Sequence, residues 1–261
     1  MKFMLAVDCE GVACVVGEPG VSLSHSVNMA FAREQATRET NAAIRALFDS
    51  GAAQVVVWDN HGDGANLIFA HLDPRCEIVL GTGFARRFPE LDHTYSGVLL
   101  LGYHPKAGTP QGVLAHTYCS AAYKSIRVNG VEVGEIALDA AVAGELNVPL
   151  LCVASDQHGC DEALHHMPWV ETVVTKQGFG RHCALSKHPA VVEQEIEHAV
   201  ARAVASLTEK KPFRFCSPLV MELEFTTWSR CLKAMLRRSG WRISGTKTLQ
   251  KTLASMLEWQ C

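Results

Sequence analysis

Four apolar runs, Phe3–Val7, Val55–Trp58, Val98–Leu101 and Val148–Ala154, carry no charge and no in–out alternation. Strands of that kind must be covered on both faces, as in a parallel sheet held between helices. Helical stripes lie between them. Ala36, Ala43, Ile44, Leu47 and Phe48 form one, with Gly51 as its stop. Ile136–Leu146 forms a second, closed by Asn147 and Pro149. Val192, Ile196, Ala199, Val200, Ala203, Val204 and Leu207 form a third, with Ser186 as cap and Pro189 in the first turn. Strand followed by helix, repeated, predicts an α/β fold: a largely parallel central sheet with helices on both faces.

The segment 209–218, EKKPFRFCSP, is the best boundary in the chain. It divides an α/β catalytic domain, 1–208, from a C-terminal strand–helix segment, 209–261, that packs on it or mediates assembly. In this smaller α+β portion Leu219–Phe225 alternates as a strand, whereas Ser229–Arg237 and Thr248–Trp259 read as helices. A net charge of −3, with no Lys/Arg run longer than two, argues against a nucleic-acid partner. No apolar stretch reaches the ~20 residues of a membrane span, so no membrane partner is expected. The apolar start is too short for a signal peptide, which predicts a cytoplasmic protein. Ten cysteines without a CxxC pair read as reduced, mostly buried thiols rather than a zinc ribbon.

Ligands of open α/β sheets bind beyond the carboxyl ends of the strands. Phe3–Val7 leads into Asp8-Cys9-Glu10-Gly11, Val55–Trp58 into Asp59-Asn60-His61-Gly62, and Val98–Leu101 into Gly102-Tyr103-His104. Carboxylates and imidazoles delivered to one edge are ligands that zinc and similar divalent ions accept, which places a metal site there. If the chain stays extended, Asp8 and Glu10 share a face about 6.5–7 Å apart. Two carboxylates that close require a cation between them, or one must hold a proton. Gly11 allows a sharp exit, and Cys9 should point the other way and pack. A turn-capping role for Asp8 or Glu10 is the bland alternative. Asp59 and Asp63 could orient His61 or merely form the turn; Asp156 and His158, after the fourth strand, could contact substrate, although solvated loop residues are the simpler reading. His25, His71, His93, His165, His166, His182, His188 and His198 lack convergent partners in the sequence.

The successive segments VDCEG, VWDNHGDGANL, LLLGYH, LAHTY and VNGVEVGEIALDAAVAGELNVPLLCVASD resemble the DppA-type D-aminopeptidases, the M55 family of zinc peptidases. The resemblance runs in order from residue 1 to about 175 and continues more weakly through SGTKT near Ser244. It implies two zinc ions per subunit and removal of amino-terminal D-residues from short peptides inside a homodecameric ring. It makes Asp8 the carboxylate bridging both metals, with Glu10, His61, His104 and Glu135 completing the ligand set. It makes His116 the catalytic histidine. On the residues alone, Glu135 is an ordinary acid at a helix start, and His116 a hydrogen-bonded core histidine. With that ligand set, three carboxylates and two zinc ions leave +1, which one hydroxide neutralises.

Two other readings compete. One is a two-metal phosphoesterase, although Lys106 is the only strong base beside the motifs. The other is a non-catalytic, metal-stabilised assembly protein, which would require a closed metal shell and an idle His116.

Overall fold

The structure, a computed structural model, describes residues 1–259 of the 261. The central sheet has seven strands: β1 (Lys2–Val7), β2 (Gln54–Asp59), β3 (Glu77–Val79), β4 (Gly97–Leu101), β7 (Leu150–Asp156), β8 (Glu171–Gly180) and β9 (Cys183–Ser186). Their order is β3-β2-β1-β4-β7-β8-β9, and all pair in parallel except β9, which runs antiparallel to β8. Each apolar run thus contains a strand with two buried faces. Phe3, Leu5, Val7, Val57 and Leu99 share one core with α1 (Met29–Asp49) and α4 (Pro189–Ala205). Met4, Ala6, Val56, Trp58 and Leu100 share the other with α2 (Glu135–Glu145). The α/β expectation holds, with helices on both sides.

A second, antiparallel sheet closes the α2 side. Its order is β11-β12-β10-β5-β6, built from β5 (Tyr123–Val128), β6 (Val131–Glu132), β10 (Leu219–Phe225), β11 (Arg242–Gly245) and β12 (Thr248–Leu253). Residues beyond 209 therefore share hydrogen-bonded strands with residues 123–132. Ile126, Val128, Met221, Leu223 and Leu249 join the core of α2. α5 (Trp228–Arg237) forms where the sequence predicts it.

Several local expectations need correction. Thr248–Trp259 is not a helix but the strand β12 followed by one 3-10 turn at Met256–Glu258. Leu249 and Leu253 are four apart, a spacing that places them on one face of a helix and equally on one face of a strand. Pairing with Leu223 and Leu219 across β10 decides for the strand. α1 begins seven residues before Ala36, at Met29. The cap of α4 is His188, whose Nδ1 accepts from the Ala190 N–H, while Ser186 ends β9. Asp156 and His158 are not loop residues: Asp156 caps α3 (Gln157–His166) and accepts from the Gly159 N–H. Among the nine described cysteines Cys9, Cys152, Cys160 and Cys231 are buried, whereas Cys14, Cys119, Cys183 and Cys216 are exposed. All nine are free thiols, and Cys261 lies outside the described residues. Among the described residues no helix is long and apolar enough to cross a membrane.

Candidate metal centre

β1, β2 and β4 end at one edge of the sheet, with β1 in the middle. The strand order therefore sets Asp8 between His61, after β2, and His104, after β4. The turn after β1 lies against the end of β4, where the Gly11 N–H donates to the Gly102 carbonyl at 2.7 Å. A Cβ on Gly11 would meet the Tyr103 carbonyl oxygen at 1.8 Å, and one on Gly102 the Asp8 carbonyl oxygen at 2.1 Å. Close backbone approach, rather than a left-handed turn at Gly11, is what these glycines permit. Glu135 arrives from the opposite side as the first residue of α2. Cys9 turns into the core under α1 and α4, as its alternation predicts.

All five expected ligands are buried and meet. Asp8 Oδ1 lies 2.8 Å from His61 Nδ1, and Glu10 Oε2 lies 3.0 Å from that same nitrogen. Asp8 Oδ2 lies 3.5 Å from His104 Nε2, which is 3.2 Å from Glu135 Oε1. The two oxygens of Asp8 thus face two separate imidazole–carboxylate pairs. The His61 Nδ1 position has one hydrogen to give and Asp8 is nearer, so Glu10 Oε2 is fully buried without a hydrogen-bond donor. The distal ring nitrogens are engaged from outside: His61 Nε2 by the Ser24 hydroxyl at 3.1 Å, and His104 Nδ1 by the Pro105 carbonyl at 3.1 Å. Fixing one nitrogen from outside orients the other as a ligand. An orphaned carboxylate oxygen, three clustered acids and two oriented imidazoles are a donor set that fits divalent metal.

The electrostatics agree with that donor set. Burial and the neighbouring Glu10 push Asp8 up to about 7. Burial acts to raise Glu10, but His61 outweighs it and holds the carboxyl well below its ordinary range. Burial likewise opposes ionisation of Glu135, yet His104 brings it down to about 2. Burial acts against charge on the two imidazoles, but Glu10 holds His61 well above 6.5 and Glu135 lifts His104 to about 10. The carboxylates attract positive charge, which the two imidazoles carry here.

His116 stacks on His104, with ring centroids 3.8 Å apart and planes inclined by 13°. Its Nδ1–H donates to the Leu114 carbonyl at 2.8 Å, leaving Nε2 as the basic position. Burial and the adjacent His104 cation lower its pKa, so it stays neutral where His104 is charged. It also lies close enough to His104 and Glu135 to share an ion with them. A cavity of 620 Å³ opens over the cluster, bounded by Ser24, Gly83, Phe84, Arg86 and Tyr118.

The sequence reading missed the scaffold under these ligands. Lys176, fully buried on β8, donates to the carbonyls of Glu10 and Val12, both at 2.6 Å. Thr175 donates to the Gly11 carbonyl, also at 2.6 Å. Glu162 of α3 accepts from the N–H groups of Lys106 and Gly134, tying the His104 loop to the start of α2. Asp156 accepts from the Val113 N–H and thereby sets the segment that carries His116. Asp59 does not reach the His61 ring; it accepts from the N–H groups of Asn66 and Leu67, and Asn66 in turn donates to the His61 carbonyl. Asp63 caps the Ala65 N–H at the surface. Only the β8 position of Lys176, a charge inside an alternating strand, carries a sequence signal.

Glu39 on α1 accepts from the Ala13 N–H at 2.9 Å, and burial pushes it up to about 7. A carboxyl raised from 4.5 contributes stability below about pH 4.5 that is lost as pH rises to about 7. At about 1.4 kcal/mol per pH unit this amounts to roughly 3 kcal/mol. Glu39→Gln should flatten the fall in melting temperature between pH 5 and pH 8. Parallel melting curves for the variant and the wild type would refute this role.

A largely parallel α/β sheet carrying a buried acid–imidazole cluster at its strand ends is a frame for metallohydrolase chemistry. The chain belongs to the M55 peptidase family, described as D-aminopeptidase, which it matches over residues 1–260. A D-aminopeptidase of Bacillus subtilis (strain 168) is 32% identical over 259 residues, covering 99% of this chain and 93% of that one. The solved structure of the Zn-dependent D-aminopeptidase DppA from Bacillus subtilis, a self-compartmentalizing protease, matches with a TM-score of 0.92. Its identity is 32%, over 99% of this chain and 93% of that one. The family resemblance read from the motifs is thereby shown.

Proposed function

We propose that the protein is a dizinc aminopeptidase that removes the amino-terminal residue, of D configuration, from short peptides. The observation that carries this reading is Asp8, whose two oxygens face two imidazole–carboxylate pairs. Asp8, Glu10 and His61 would hold one ion, and Asp8, His104 and Glu135 the other. Zinc held there supplies Lewis acidity and lowers the pKa of water toward about 7. The chain's own residues do the rest. The cavity is large enough to admit a short peptide. His116, neutral and held by Leu114 through Nδ1, takes a proton at Nε2 as water attacks and returns it to the departing amine. Elemental analysis should find two zinc ions per chain, and D-alanyl p-nitroanilide should be cleaved in preference to its L counterpart. One ion at saturating zinc would overturn the dinuclear site; equal turnover of both isomers would overturn the stereochemical reading.

Assembly follows the same reading. The self-compartmentalizing relative supports a ring, a decamer in the proposal, and α5 offers Trp228, Leu232 and Leu236 as exposed apolar residues. The segment 209–261 would then serve assembly while 1–208 carries the ligands. Light scattering at micromolar concentration should give a large oligomer, and a monomer would refute it. Four exposed free thiols suit a reducing compartment, which favours the cytoplasm.

A further inference from the structure

A second cavity, of 360 Å³, lies against the first. Both are lined by Glu10 and His116, so the second space also borders the proposed reaction centre. Leu114, Arg181 and His182 line the second space only. Arg181, in the turn between β8 and β9, donates from Nη1 to the Ala115 carbonyl at 2.5 Å. The Leu114 N–H donates back to the Arg181 carbonyl at 2.9 Å. The guanidinium is therefore fixed to the residue that precedes His116. Arg45, Arg75, Arg87, Arg127 and Arg202 each meet a carboxylate. Arg181 has no acidic partner within 4.0 Å among the described residues, and it is exposed to the cavity.

The geometry points to Arg181 as the anchor for the C-terminal carboxylate of a di- or tripeptide, on the leaving-group side of the scissile bond. This rests on the aminopeptidase reading. A carboxylate one or two residues past the scissile carbonyl lies within about 3.5–7 Å of it along an extended chain. Arg181 touches the backbone of the residue next to His116 and lines the same cavity as Glu10 and His116. A guanidinium with part of its fork uncommitted takes a carboxylate through paired, charge-assisted hydrogen bonds. Amine at the acid cluster and carboxylate at Arg181 would together select peptides by length.

The test compares D-alanyl-D-alanine and tri-D-alanine with their C-terminal amides. The wild type should favour the free acid of at least one length by roughly 10–100-fold in kcat/KM, the range for a hydrogen bond to a charged group. Arg181→Met also removes the bond to Ala115 and so slows acid and amide alike; only their ratio reports the anchor, and it should fall to about one. Arg181→Lys, which keeps the charge without the fork, should give an intermediate ratio. Isothermal titration of chelator-treated protein with the same peptides supplies a readout without turnover, and the wild type should bind the acid more tightly. A wild-type ratio near one for both lengths, or one unchanged in Arg181→Met, overturns the anchor. If no peptide is cleaved the aminopeptidase reading falls, and the titration still decides the anchor, because equal affinity for acid and amide overturns it.

Discussion

Asp8→Asn should release both zinc ions and lower turnover by at least ~10⁴-fold, since metal-activated water replaces water of pKa 15.7. The substitution is isosteric and keeps the oxygen that accepts from the Cys9 N–H at 2.9 Å. It also removes one of two crowded carboxylates, so the metal-free variant should melt no lower than the metal-free wild type. That separates loss of metal from loss of fold. His61→Ala and His104→Ala should each deplete chiefly one ion, because each ring faces a different Asp8 oxygen. Elemental analysis after dialysis is the measurement. Retention of one full equivalent by Asp8→Asn would show that the carboxylate does not bridge.

His116→Ala should keep both ions and the melting temperature while kcat falls by about 10²–10⁴-fold, the usual span for positioned proton transfer. The expectation follows from a ring whose Nδ1 is committed to Leu114 and whose Nε2 remains basic. A ligand would behave differently, losing metal and stability together. Its nearness to His104 and Glu135 makes that outcome a real competitor. Near-normal turnover with full metal would reduce His116 to a structural histidine.

Much of the centre was legible because its residues follow directly on apolar strands. Asp8, His61 and His104 needed only the rule that α/β sheets bind ligands at their carboxyl edge. Glu135 and His116 were different. An acid at a helix start and a histidine after a short apolar run look ordinary, and only the collinear family motifs single them out. Of the supports, only Lys176, a charge inside a strand, leaves any trace in the sequence, and its contact does not. Ser24 reaches His61 across 37 residues and Lys176 reaches the Glu10 carbonyl across 166, and neither contact has a periodicity. β12 failed for a related reason, since a four-residue spacing of leucines is shared by both kinds of element and only its partner strand decides.

The double covering of β1 bears on how the sheet finds its alignment. Phe3, Leu5 and Val7 meet one apolar core and Met4 and Ala6 the other. A one-residue slip would exchange one greasy set for another, so burial alone discriminates weakly between alignments. The polar turn just beyond the strand discriminates strongly. Slipped by one, Cys9 would stand where Asp8 must meet His61 and His104, and both acids would be driven toward the packed side. The chemistry at the strand ends is thus a vernier for the strand itself: zinc capture during refolding should select the native alignment and raise the yield of active chains.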